Sequence, residues 1–344
     1  MIRFDSDYVS NAHPRILARL QETAENQYPG YGTDAVCERA KAYIRAACAA
    51  PEADVHFLVG GTQTNTTLIS AILRPHQGVV SADTGHINTH ESGAIEATGH
   101  KVLIVPGEAG KMTARQVREA YEQHWGDRAH EHMVQPGLVY ISHPTENGTV
   151  YTLSELEAIS AVCKEKGLPL MLDGARLGYG LTAAGTDVTL PDVARLCDVF
   201  YIGGTKLGTL FGEAVVIQNP KYKRDFRYLI KRHGGMLAKG FLLGIQFECL
   251  FEDSLYFDLG RHGVDEALYL RQGMVEAGFP LQYDTSSNQQ FPRVSNALAE
   301  KLKQSFAFHA WEKPNEQETV LRFCTSWATK REDVEALLTA MRQG

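Results

Sequence analysis

What this chain of 344 residues lacks already narrows its chemistry. No apolar run reaches the roughly 18 residues that a membrane-crossing helix requires. Like charges nowhere form a block, and a formal net charge of −7 argues against nucleic acid or an anionic membrane as the natural partner. There is no C-x-x-C pair. Cys37, Cys48, Cys163, Cys197, Cys249 and Cys324 stand apart among mostly apolar neighbours, and they read as reduced core thiols. Internal repeats and low-complexity stretches are absent as well. The opening MIRFDSDYVSNAHP is polar where a signal peptide would carry its apolar core, so the expectation is a cytoplasmic protein.

What is present is a regular alternation. With 44% hydrophobic and 22% charged residues, the chain can bury a large core as one large domain or two modest ones. The first thirty residues are polar and turn-rich and suggest an arm and loop ending at Tyr28-Pro29-Gly30-Tyr31-Gly32. A helical pattern follows near 34–49. From 55 to about 218, short apolar runs alternate with helical stretches: VHFLV (55–59), GVVSA (78–82), KVLIV (101–105), GLVYIS (137–142), LPLML (168–172), VFYIG (199–203) and EAVVIQ (213–218). Most are apolar on both faces, as buried parallel strands are. One helix between them is signposted by a Thr152/Glu155 capping box and a stop at Gly167. This order predicts an α/β fold with a mostly parallel seven-stranded sheet flanked by helices, followed by a smaller α+β C-terminal domain. The expected divisions are an arm at 1–30, a large domain at 31–235 and a small domain at 236–344.

Ligands of open parallel sheets sit where the strands end at their carboxyl edges. Four such ends carry unusual residues. VHFLV runs into Gly60-Gly61-Thr62-Gln63 before a helix, where free amides and the helix dipole suit a phosphate, although the spacing is neither a Walker loop nor G-x-G-x-x-G. Taken alone, a tight turn explains it better. LPLML runs into Asp173-Gly174-Ala175-Arg176, and a carboxylate there needs a cation, either a protonated ring nitrogen or Arg176 itself. VFYIG runs into Gly204-Thr205-Lys206-Leu207-Gly208, where glycines make room for a bulky group beside a lysine able to attack a carbonyl. GVVSA leads to His86, which with His90 and Glu91 has the spacing of a metal pair. No cysteine or H-E-x-x-H partner supports a metal, so none is expected. His124, His130 and His132 read as solvated surface. Each signal is modest, but an anion turn, an imidazole, a carboxylate and a lysine on successive strand ends together meet the needs of pyridoxal phosphate (PLP).

The same residues resemble the threonine aldolases, within the beta-eliminating lyase group of fold type I PLP enzymes. The likeness rests on Ser6-Asp7-x-Val9, Tyr31-Gly32, Gly61-Thr62-Gln63-x-Asn65, His86-x4-Glu91-x-Gly93, Asn147-Gly148, Asp173-Gly174-Ala175-Arg176 and Lys206-x-Gly208. It implies a Schiff base on Lys206, Asp173 at the ring nitrogen, His86 stacked on the ring, and Gly61, Thr62, Thr205 and Arg176 in the cofactor site. Ser6, Tyr31, Arg176 and Arg322 are implied near the substrate. Where the family often carries Thr-His-Asn-Gly, this chain has Thr145-Glu146-Asn147-Gly148, which makes Glu146 a candidate base beside His86. After Gly234-Gly235-Met236 stands Leu237, leaving Arg232 or Lys239 for a basic residue that the family lends to a neighbouring site.

The expected activity is cleavage of L-threonine-like or L-allo-threonine-like β-hydroxy-α-amino acids to glycine and an aldehyde, in a homodimer or homotetramer with active sites at subunit interfaces. Another PLP-dependent reaction on amino acids, β-elimination or transamination among them, is the first alternative. A non-catalytic PLP-binding protein is the second.

Overall fold

The computed structural model describes residues 1–343. All seven apolar runs form strands: Asp54–Leu58, Gln77–Ala82, Val102–Val105, Gln135–Ser142, Leu170–Asp173, Val199–Gly203 and Glu213–Ile217. They join in one sheet whose spatial order, by starting residue, is 54, 213, 199, 170, 135, 77, 102. Pairing is parallel from 102 across to 199. The Glu213–Ile217 strand runs antiparallel to both of its neighbours. The sheet is therefore mixed, and the amino end of that one strand shares an edge with the carboxyl ends of the others.

Successive strand residues point to opposite faces, and each face meets its own helical layer. Val139, Ile141, Leu172, Phe200 and Val216 pack with Ala40, Ile44, Leu156 and Phe247 on one side. Leu138, Met171, Val199 and Val215 pack with Leu68, Ile69, Phe226 and Ile230 on the other. Each large apolar side chain so buried contributes roughly 1.5–3 kcal/mol. The helix Leu153–Lys166 starts with the Thr152/Glu155 capping box and ends at Gly167 in the left-handed region (φ 67°).

Two regions differ from the sequence reading. Pro14–Glu22 is a helix within the stretch expected to be arm and loop, capped by His13 with Pro14 in its first turn. Its Ile16 is fully buried in the large core, which outweighs the polar composition around it. His124 is also buried, with its ring against Trp125 and His130, so it is not a solvated surface residue.

A second core gathers Phe4, Val294, Leu298, Phe306, Leu321, Phe323 and Val334 around a smaller sheet, in which Glu318–Cys324 is flanked by Arg293–Ser295 and His309–Glu312. Ile2–Arg3 adds to this part of the chain by pairing with Phe306–Ala307. The helix Leu255–Glu276 spans both cores, with Leu255 and Leu259 in the first and Leu270 and Met274 in the second. It thereby holds the small domain over the sheet.

Replacing Thr152 with alanine removes the side-chain acceptor for the Glu155 amide. We expect a loss of about 1 kcal/mol, read as a lower urea midpoint with unchanged slope. An unchanged midpoint would show that the cap adds nothing.

Candidate active site

The strand ends converge on a cavity of about 310 Å³ lined by Gly60, Gly61, Thr62, His86, Glu146, Asp173, Arg176, Thr205, Lys206 and Glu213, with Tyr8, Tyr201 and Ser142. That volume is at the small end of the range that holds a small cofactor, roughly 300–1,000 Å³. One wall is the start of the helix Gly61–Ile72, which no side chain caps. A Cβ on Gly61 would stand 3.3 Å from the Tyr201 hydroxyl, so the turn opens directly onto the cavity. Uncapped amides at a helix start suit a phosphate.

Asp173 ends its strand 5% exposed. Its Oδ2 accepts from the Tyr140 hydroxyl at 2.5 Å and from Asn65 Nδ2 at 3.1 Å, and its Oδ1 accepts from the Ala175 amide at 3.0 Å. Burial alone would raise its pKa. The nearby His86 charge and hydrogen bonds from Tyr140, Tyr201 and the Ala175 amide prevail and lower it. The carboxylate is therefore held ionised inside the fold, ready for a cationic partner.

Lys206 follows the next strand and opens onto the same cavity. Burial lowers its pKa first and the Arg176 charge lowers it further, against the opposing pull of Asp7, Asp173 and Glu213. The glycines around it do not make room for a bulky group, as the sequence suggested. A Cβ on Gly203 would lie 2.3 Å from the Ala175 carbonyl oxygen, and one on Gly204 2.8 Å from that of Gly212. On Gly208 it would lie 2.9 Å from Leu259. These positions are filled by the protein's own chain, and glycine lets the lysine loop pack against it.

Arg176 is committed to Asp7. Its Nε donates to Asp7 Oδ2 at 2.6 Å and its Nη2 to Oδ1 at 3.0 Å, a bidentate pair that ties the N-terminal segment to the sheet edge. Asn288 Nδ2 also donates to Asp7, at 2.9 Å. Burial would raise the Asp7 pKa, but Arg176 and Lys206 bring it down to about 2.

His86 lies across the cavity, its Nδ1 2.8 Å from Glu91 Oε1. Asn65 Nδ2 donates to the same Glu91 oxygen at 2.7 Å as well as to Asp173, so one amide links the imidazole's carboxylate to the strand-end carboxylate. Glu146 Oε1 accepts from the His86 backbone amide at 3.0 Å and from the Ser142 hydroxyl at 2.7 Å. Burial raises the Glu146 pKa, and Asp173 adds to that, against the lowering effects of Ser142 and His86.

The structure thus brings together Lys206, Asp173, Arg176, His86, Glu146, Gly61, Thr62 and Thr205. Ser6, Arg322 and Tyr31 do not line the cavity. Ser6 Oγ and Arg322 Nε are buried without a hydrogen-bond partner among the described residues, and the Arg322 guanidinium sits 4.9 Å over Trp311. Tyr31 is 47% exposed, beside Arg227 and Met236. Tyr140, Tyr201 and Glu213 went unnoticed in the sequence, and Asp7 was noted only within the Ser6-Asp7-x-Val9 marker, without a role. The two tyrosines look like ordinary apolar strand residues, Asp7 finds its partner 169 positions away, and Glu213 begins a strand instead of ending one.

With this fold and with a lysine and a buried aspartate bordering one cavity at the strand ends, the chain has the architecture of the fold type I PLP-dependent enzymes. Aspartate aminotransferase from Thermus thermophilus shares the fold, with a TM-score of 0.74 at 15% identity over 100% of this chain and 91% of that one. The family described as Beta-eliminating lyase matches residues 3–324, and the chain belongs to the threonine aldolase group of that family. It is 45% identical to the threonine aldolase of Leishmania major, with a TM-score of 0.97 over 100% of this chain and 99% of that one. It is 30% identical over 344 residues to the low specificity L-threonine aldolase of Pseudomonas aeruginosa, covering 99% of this chain and 97% of that protein.

Asp7→Asn removes the charge partner of a buried guanidinium. Because the folded-state pKa of Asp7, about 2, lies below its unfolded value, its stabilisation is present at neutral pH and fades as pH falls from about 4 towards 2. We expect the variant to lose on the order of 2 kcal/mol at pH 7 by chemical denaturation, with the gap to the parent narrowing below pH 4. A gap independent of pH would mean that the pair is not held by charge.

Proposed function

We propose that this chain cleaves threonine-like β-hydroxy-α-amino acids to glycine and an aldehyde, with Lys206 holding PLP. The observation that carries this reading is that Lys206 and the ionised Asp173 carboxylate border one cavity, in a chain 45% identical to a threonine aldolase. The residues fit the cofactor in kind: an amine for its aldehyde, an anion for its ring nitrogen, and an uncapped helix start for its phosphate. When bound there, PLP supplies an electron sink for the pair left as Cα–Cβ breaks.

The chain's own groups do the rest. Asp173 keeps the proton on the ring nitrogen, fixed in place by Tyr140 and Asn65. Gly61 and Thr62 offer amides to the phosphate, with the Thr205 hydroxyl beside them. His86, oriented by Glu91, presents its flat face to the ring. Ser6 Oγ and Arg322 Nε, buried without partners among the described residues though outside the lining of the cavity, are the groups we assign to the substrate carboxylate together with Arg176. Glu146 has one oxygen occupied by Ser142 and the His86 amide, and it receives the β-hydroxyl proton. A burial-raised pKa suits this role, because it brings the carboxylate nearer the pH at which it must accept a proton.

Residues 31–235 would form the cofactor domain and 236–344 the small domain, although Phe247, Leu255 and Leu259 of the latter stretch pack into the large core, with 1–30 as a segment serving both. Tyr31 lies outside its own chain's cavity in a left-handed turn (φ 64°). We assign it to a neighbour's site in a homodimer or homotetramer. Six buried free cysteines support a cytoplasmic location. No described helix is long and apolar enough to cross a membrane.

Purified protein supplied with PLP should release glycine and an aldehyde from threonine, allo-threonine or phenylserine. Inactivity on all three and on serine would overturn the reading, and pyruvate plus ammonia from serine would replace it with β-elimination. Glu146→Gln should lower kcat by about 10²–10⁴-fold. In the parent enzyme, activity should fall as the medium becomes acidic through a pH above the ordinary glutamate range, since protonated Glu146 no longer accepts. A Glu146→Gln enzyme with the parent's acid limb would assign the proton transfer elsewhere.

A further inference from the structure

Glu213 has no part in the chemistry above, yet it stands inside the site. It opens the antiparallel strand Glu213–Ile217 and pairs with Leu58 on one side and Gly203 on the other. Both partners are the last residues of their strands. Glu213 is therefore placed between the turn at Gly60–Thr62 and the loop carrying Thr205 and Lys206, and it borders the same cavity. The residues that follow it, Ala214, Val215, Val216 and Ile217, are all buried in the sheet cores.

The side chain is only partly served. Its Oε1 accepts from the Thr205 hydroxyl at 2.9 Å, and that hydroxyl accepts from the Gly212 amide at 3.1 Å. Its Oε2 is buried with no partner among the described residues, while the residue is 3% exposed. An unserved carboxylate oxygen in a dry site is costly unless it holds a proton or faces a cation. Of the charged side chains that act on it most strongly, Lys206 is a cation and Asp173 an anion. Tyr201 and Tyr256 also feel its charge. Neither tyrosine can neutralise it, because burial holds both phenols protonated.

We propose that Glu213, which borders the same end of the cavity as Lys206, sets the charge state of the lysine nitrogen through the charge of its own carboxyl. Burial raises the carboxyl pKa and lowers that of the amine, which brings both groups towards the same pH range. Glu213 is a positioning residue here, acting through Lys206. The inference rests on Lys206 being the amine that holds PLP.

The test is a pH titration of the visible absorption of the PLP-loaded full-length protein, which reports the protonation of the lysine nitrogen where it joins the cofactor. A carboxylate nearby favours the protonated nitrogen, so Glu213→Gln should lower the midpoint by one pH unit or more, a tenfold change. Glu213→Asp keeps the charge and should titrate close to the parent. If Glu213→Gln does not fold, Glu213→Leu, which matches the apolar strand around it, carries the same expectation. An unchanged midpoint on losing the carboxyl, or equal shifts in the aspartate and glutamine variants, overturns the proposal. A parent protein that forms no visible band trapped on Lys206 overturns both this inference and the functional reading. A normal parent band with an unmoved variant midpoint overturns this inference alone.

Discussion

The constraint on which the rest of the structure depends is a carboxylate buried at the end of an apolar strand. Leu170, Met171 and Leu172 are almost wholly buried and draw Asp173 in behind them. Ionised in such a place, Asp173 is costly unless donors and cations are fixed around it before folding ends. The neighbouring elements are arranged accordingly. Tyr140 and Tyr201 reach it from the flanking strands, Asn65 from the helix Gly61–Ile72, and the Ala175 amide from its own turn. These four donors hold the carboxylate at the border of the cavity.

Much of this was legible in the sequence, and the reasons are physical. A buried parallel strand must be apolar on both faces, so its first polar residue marks the sheet's edge. Asp173, Lys206, His86 and Gly61 were found by that rule. The same rule hid Glu213. It assumes that all strands run the same way, and the Glu213–Ile217 strand does not. Reversal brings a strand's first residue to the edge where its neighbours have their last. Tyr140 and Tyr201 were hidden differently, since a tyrosine on a buried strand contributes mostly apolar surface and shows its hydroxyl only when folded. The glycines around Lys206 were noticed but misread, because a missing Cβ looks the same in sequence whether a ligand or the chain itself fills the space.

The N-terminal segment is the least legible part, for a related reason. Composition near its start is polar, yet Phe4 belongs to the small core and Ile16 to the large one. Between them Asp7 clamps Arg176. A short segment with one anchor in each core gains its order from tertiary contacts, which local periodicity does not register. Its effect on the site is direct. The clamp fixes the arginine beside Lys206, where its charge helps keep the amine from holding a proton.

Seen as charges, the cavity contains more acid than base. Asp173, Glu146 and Glu213 in its lining, with Asp7 buried behind Arg176, stand against Arg176 and Lys206, and His86 is paired to Glu91. Asp7 and Arg176 cancel as a bidentate pair, and Asp173 is held ionised by its donors. Glu146 and Glu213 remain, and burial raises the pKa of both. Such a site need not keep every carboxyl ionised. It can keep one anion permanently, opposite the ring nitrogen, and leave two carboxyls able to gain and lose protons on either side of the cavity. Glu146 lies beside His86, where a substrate hydroxyl would have to pass its proton. Glu213 lies on the Thr205–Lys206 side, where its charge would act on the lysine nitrogen. The ordinary expectation that a buried acid is a structural burden is thereby reversed, because the burial that makes these carboxyls costly as anions also tunes them as proton acceptors.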